Sequence, residues 1–212
     1  MKKNFLYKLF FKYIPQLLSV ILHPLLMPTL GMYIILSSSG TSAYVLDFQD
    51  KYFILTLVAA FTCVIPLAFL PFYYYFKIST SLVLQARQHR IIPLIVTFIL
   101  FYFCFMIFRI KGAPHIIQSF LLASSIAVFC NLLISFRWQI SAHMIGIGGI
   151  IGLVLALDLL YHIEIISYLM VLLLLGGLIG FARLSLDAHT PKQVYSGLAL
   201  GLLVMMLVIF LY

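Results

Sequence analysis

Apolar runs of roughly membrane-spanning length recur along this chain, and its ionisable residues gather in the short stretches between them. About 20 residues wound at ~1.5 Å per residue match the ~30 Å hydrocarbon core of a bilayer. Hydrocarbon offers the backbone no outside partner, so such runs must be helical. Composition points the same way. Of 212 residues, 65% are hydrophobic and 8% charged, and the mean hydropathy is +1.19. Those values exclude soluble and disordered classes.

The runs predict an all-α polytopic membrane bundle of about seven spans, forming a single domain over residues 16–212. The expected spans are residues 16–36, 52–76, 91–108 and 115–136, a fifth following His143 to about 157, then 165–181 and 194–212. His23-Pro24 and Pro28 are expected to kink the first. Residues 37–51 and 158–164 read as a polar loop and a tight turn. Gly146, Gly148, Gly149 and Gly152 in span five predict a close helix approach. Residues 1–15 carry Lys2, Lys3, Lys8 and Lys12 among Phe, Leu and Tyr, the pattern of a basic amphipathic interfacial helix. No cleavable signal peptide is expected, because the first long apolar run holds two prolines and shows no small-residue cleavage site.

A net charge of +8 raises nucleic acid as a partner. In so apolar a chain, basic residues instead face headgroups, loops or an anionic substrate, and no nucleic acid is expected. Cys63, Cys104 and Cys130 fall in apolar runs without metal-ligand spacing and read as small hydrophobes.

The most informative polar stretch is residues 182–201, ARLSLDAHTPKQVYSGLALG. Thr190-Pro191-Lys192-Gln193 fits a capping box that would begin the last helix. His189 then sits at a helix N-terminus, which favours anions. Arg183 closes the preceding helix with a forked guanidinium suited to phosphate. A membrane hairpin with ordinary cap residues is the plainer reading of the same residues.

Arg183-x5-His189-x3-Gln193, followed by Gly197 and Gly201, resembles the third signature of the type 2 phosphatidic acid phosphatases, a group that includes lipid phosphate phosphatases. Ala182 and Gln193 stand where that signature has Ser and Asp. Ile140-Ser141-Ala142-His143 is similar to the second signature, Pro-Ser-Gly-His. Arg90 is similar to the arginine of the first, with Val83 at its lysine and Arg87 as substitute cation. The resemblance implies a six-helix phosphatase-like core plus an extra N-terminal helix. It implies His189 as nucleophile, His143 as general acid and Gln193 as the group orienting His189. Arg183, Arg90, Arg87, Ser141 and Ala142 would bind phosphate.

The implied activity is an integral-membrane lipid phosphatase, a metal-independent phosphoric monoester or diphosphate hydrolase working through a phosphohistidine. Its substrate would be a lipid phosphate or an isoprenoid (polyprenyl) pyrophosphate, and it would need no metal or cofactor. Two spans separate Arg90 from His143 and two more separate His143 from His189, so all three clusters should open on one side. The expected setting is the cell (inner) membrane. The N-terminal lysines put the clusters on the cytoplasmic side, many relatives of such a family work on the outer side, and the face stays open. Two other readings stand beside the enzyme. One is a non-catalytic lipid-phosphate binding or transport protein on the same fold; the other is a structural or channel-like protein whose polar clusters are loop chemistry. His23 reads as a helix-packing group.

Overall fold

The computed structural model describes residues 8–75, 90–164 and 166–212, with only the backbone of Tyr74. Among them every regular element is helical. The order is a π-turn Leu9–Tyr13, α1 (Ile14–Ile21), a 3-10 turn Pro24–Leu26, α2 (Met27–Ser37), α3 (Phe48–Ala59), a π-turn Ala60–Val64 and α4 (Ile65–Tyr75). There follow α5 (Ile91–Ile110), α6 (His115–Ser135), α7 (Ala142–Tyr161), α8 (Ile166–Ser185) and α9 (Pro191–Leu211). Among the described residues, seven helical stretches are long and apolar enough to cross a membrane.

Proline chemistry explains the irregular places. Each π-turn ends two residues before a proline, Pro15 or Pro66. A proline lacks the N–H for an i→i−4 bond and its ring crowds the preceding turn, and a widened turn relieves both. Pro24 forces His23 into an extended conformation (ψ 138°), so the first span is interrupted where a kink was expected. Helical structure continues through residue 15 to Ile21, across the boundary expected between interfacial segment and span.

Other boundaries move by a turn. α3 starts at Phe48, inside the expected polar loop, with Asp47 at its extended N-cap and Asp50 in its first turn, where negative charge suits the helix dipole. α7 runs on to Tyr161, absorbing Asp158 from the expected turn, and stops where His162 turns left-handed (φ 51°). α8 reaches Ser185, placing Arg183 in its last turn as expected.

α7 is the central helix, with 67% of its apolar window buried against 22% for α8. On α8, Ile166, Met170, Leu173 and Leu174 stay exposed and form a lipid-facing surface. The tightest crossing joins α7 to α9. A Cβ on Gly152 would stand 2.6 Å from the Leu202 carbonyl oxygen, and one on Gly197 2.7 Å from that of Ser141. Gly148 and Gly201 meet the facing backbone in the same way. Two small-xxx-small steps, one per helix, therefore let the backbones touch.

Gly152→Leu should lower stability by about 3 kcal/mol or more, an overpacking cost at the upper end. Gly177→Ala meets open space and should be neutral or stabilising by up to ~1 kcal/mol through helix propensity. Thermal unfolding of the purified protein in detergent reads both. Equal melting temperatures for the two variants would contradict the crossing.

Candidate active site

The α7–α9 crossing sets two helix starts side by side. Ser141, the N-cap of α7, donates its backbone N–H to the Gln193 carbonyl in the first turn of α9 at 3.2 Å. Thr190, Pro191 and Gln193 occupy the expected N-cap, N1 and N3 positions of α9 and close a capping box. The Gln193 Oε1 atom accepts from the Thr190 backbone N–H at 3.1 Å. The same oxygen lies 3.1 Å from His189 Nδ1. Only the amide oxygen can accept from a backbone N–H, so the box fixes which way Gln193 faces. His189 Nδ1 must then carry the proton, leaving a lone pair on Nε2.

His189, His143, Ala142, Arg183 and Arg90 all line one cavity of about 460 Å³. Each comes from a helix end: Arg90 directly before α5, Ala142 and His143 in the first turn of α7, Arg183 in the last turn of α8, and His189 directly before the N-cap of α9. The even-crossing argument is thus met in space for the described members. Arg87 lies outside the described residues. Ser141 is not among the lining residues: its N–H is taken by Gln193, and among the described residues its buried hydroxyl has no hydrogen-bond partner.

The electrostatics are those of an anion site. Burial, then the charge of Arg90, then that of Arg183, push the His189 imidazole down to about 4, against an opposing bond from Gln193. Burial and the Arg183 charge push Arg90 down to about 10. Arg183 Nε is buried and has no hydrogen-bond partner among the described residues. The Arg183 charge disfavours that of Arg90, and an orphaned donor lies beside them at the helix ends, an arrangement that one anion would relieve. Among the described residues no group of three or more His, Cys, Asp or Glu is placed to hold a metal ion.

The N-terminal segment adds groups that the polar clusters did not reveal. The Ser19 carbonyl lies 3.0 Å from His143 Nε2, and a carbonyl can only accept, so His143 keeps its proton on Nε2. Arg183 Nη1 donates to Ser19 Oγ at 3.3 Å. His23 also lines the cavity; its Nδ1 accepts from the Leu25 N–H at 3.3 Å, and its ring meets His143 edge-on at 5.7 Å. It packs, as expected, but its packing partner is a site residue. Gln139, with its amide oxygen turned toward Arg90, accepts from both guanidinium Nη atoms at 3.1 and 3.2 Å. The Tyr73 hydroxyl, on a buried lining residue of α4, has no hydrogen-bond partner among the described residues. A signal for Ser19 and His23 did exist. Lys8, Lys12, Gln16, Ser19 and His23 recur at intervals of four, four, three and four residues, one polar stripe at helical spacing.

Compared with protein-family models, curated proteins and solved structures, the chain finds no match.

Nitrogen-15 NMR of the histidine rings should find His189 neutral and protonated on Nδ1 at neutral pH, titrating near pH 4. Its folded value lies below the ordinary 6.5, so the unfolded chain takes up this proton first as pH falls. The resulting stability is complete above about pH 6.5 and is lost on descending to about 4. Gln193→Glu should raise the His189 value by a unit or more by adding a negative partner. A ring titrating near 6.5 in the unaltered protein would contradict this geometry.

Proposed function

We propose that the chain is an integral-membrane lipid phosphatase that removes phosphate from a lipid phosphate or polyprenyl pyrophosphate through a phosphohistidine. The observation that carries this reading is His189, an uncharged imidazole with Nδ1 tied to Gln193 and Nε2 left as a lone pair, in one cavity with two guanidiniums. The resemblance of Arg183-x5-His189-x3-Gln193 to the third signature of the type 2 phosphatidic acid phosphatases supports it.

In this mechanism Arg90 and Arg183 hold the non-bridging phosphate oxygens, where transition-state charge spreads. His189 Nε2 attacks phosphorus, forming the P–N bond as the P–O bond to the leaving group breaks. His143, held through Nε2–H by the Ser19 carbonyl, acts as the imidazolium, giving its second proton from Nδ1 to the departing oxygen and becoming neutral. Water then attacks the phosphohistidine, returning its proton to His143 and releasing phosphate. Gln139 and Ser19 are positioning residues, holding Arg90 and Arg183.

Gln193 favours a second reading. An amide fixes the imidazole tautomer as a carboxylate does, but it cannot offset the positive charge that His189 gains as it reacts. A lipid-phosphate binding or transport protein needs the guanidiniums and not the reacting imidazole.

Phosphate release from a short-chain lipid phosphate by purified protein separates the two. The enzyme reading expects His189→Ala to lose at least ~10³-fold in rate, the scale of removing a member of a catalytic unit. Arg183→Lys should lose roughly 10²-fold. The kcat/KM profile should fall on the acid side near pH 4, where free His189 takes up a proton. Equal release by unaltered and His189→Ala protein would remove the enzyme reading.

A further inference from the structure

The cavity holding the cationic cluster continues past it. From the helix ends it descends between α4, α5, α6, α7 and α9 to Phe101, Phe120, Ile150 and Met205. Phe101 lies eleven residues beyond Arg90, about 16 Å of helix, and Ile150 seven beyond His143, about 10 Å. That depth approaches the middle of a ~30 Å hydrocarbon core. Hydroxyls along the way are turned back onto their own helices. Thr97 Oγ1 donates to the Pro93 carbonyl at 2.8 Å and Ser124 Oγ to the Phe120 carbonyl at 2.9 Å. The lower chamber therefore presents apolar wall, and the charge is confined to its mouth.

Size and shape narrow what enters. At about 460 Å³ the cavity falls in the ordinary range for a ligand site. Below the arginines it continues as one apolar chamber, which offers a seat for one hydrocarbon chain. An inorganic anion has no use for the apolar depth, and a neutral hydrocarbon has none for the arginines.

We propose that the ligand is a single-chain lipid phosphate or diphosphate whose chain enters this chamber while its phosphate meets Arg90 and Arg183. The proposal rests on reading the site as one for lipid phosphate, and it adds the number of chains and the place of the tail. The second chain of a diacyl lipid finds no such seat and stays outside, so two-chain lipids bind more weakly.

The test uses a ten-carbon alkylphosphonate with a diazirine at its far end, a probe with no P–O–C bond to break. The full-length protein in detergent is irradiated with the probe, and labelled residues are mapped by peptide mass spectrometry. Label is expected on Phe101, Phe120, Ile150 or Met205, at least tenfold above that from the same chain ending in a hydroxyl. Decyl phosphate should displace it at least tenfold better than dioleoyl phosphatidic acid or inorganic phosphate. Ala127→Phe, and independently Thr97→Leu, should cut the labelling severalfold by filling the chamber. Three results would each overturn the proposal: label on outward residues such as Leu173 and Leu203, label no stronger than the alcohol's, or equal displacement by the two-chain lipid. Turnover is not read here. Chamber labelling without phosphate release would leave this proposal standing and remove the phosphatase reading.

Discussion

Backbone contact between α7 and α9 governs the rest of this molecule. Gly148 and Gly152 on one helix face Gly197 and Gly201 on the other, and the Ser141 N–H donates to the Gln193 carbonyl across the crossing. Two helix N-termini are thereby clamped together, each with a partial positive charge and free N–H groups. Bulkier residues would spread the helices and carry His143 away from His189. The arginines then add charge to a place already positive, and the lowered values of Arg90 and His189 reflect burial first and the neighbouring charges second. Apolar packing deeper in the bundle holds the cluster against the repulsion of those charges.

Hydrogen bonds decide how each histidine is used. His189 has Nδ1 committed to Gln193, and His143 has Nε2 committed to Ser19. The two imidazoles therefore leave opposite nitrogens for chemistry, Nε2 of His189 to attack and Nδ1 of His143 to carry a proton. That division suits an attacking group paired with a proton donor. Gln193 gives its oxygen to both the capping box and the histidine, so helix initiation and site geometry depend on one side chain.

Much of this was legible from residue order. Spans follow from apolar run length, since hydrocarbon thickness leaves little freedom. Thr190-Pro191-x-Gln193 spelled out its capping box, and crossing parity put Arg90, His143 and His189 on one side. Local patterns did not reveal the long-range partners. Ser19 and His23 reach the site only because Pro24 breaks the first span and α1 lies against α8. Their polar stripe begins among the N-terminal lysines, which suggested a separate interfacial segment. Ser141 is a further case, since its position beside His143 gave no sign that its N–H is spent on the Gln193 carbonyl across the crossing. Boundary shifts at Phe48 and Tyr161 follow from helices extending through polar residues that sit comfortably at their ends.

The account's central claim is that converging helix ends make His189 a nucleophile toward one bound phosphate. Its most direct measurement is a rapid alkaline quench of the protein mixed with a lipid phosphate labelled with phosphorus-32, followed by peptide mapping. The claim predicts label that resists alkali, is lost in acid, resides on the peptide containing His189 and disappears in His189→Gln. Phosphate release with no protein-bound label, or with label on a peptide lacking His189, would contradict it.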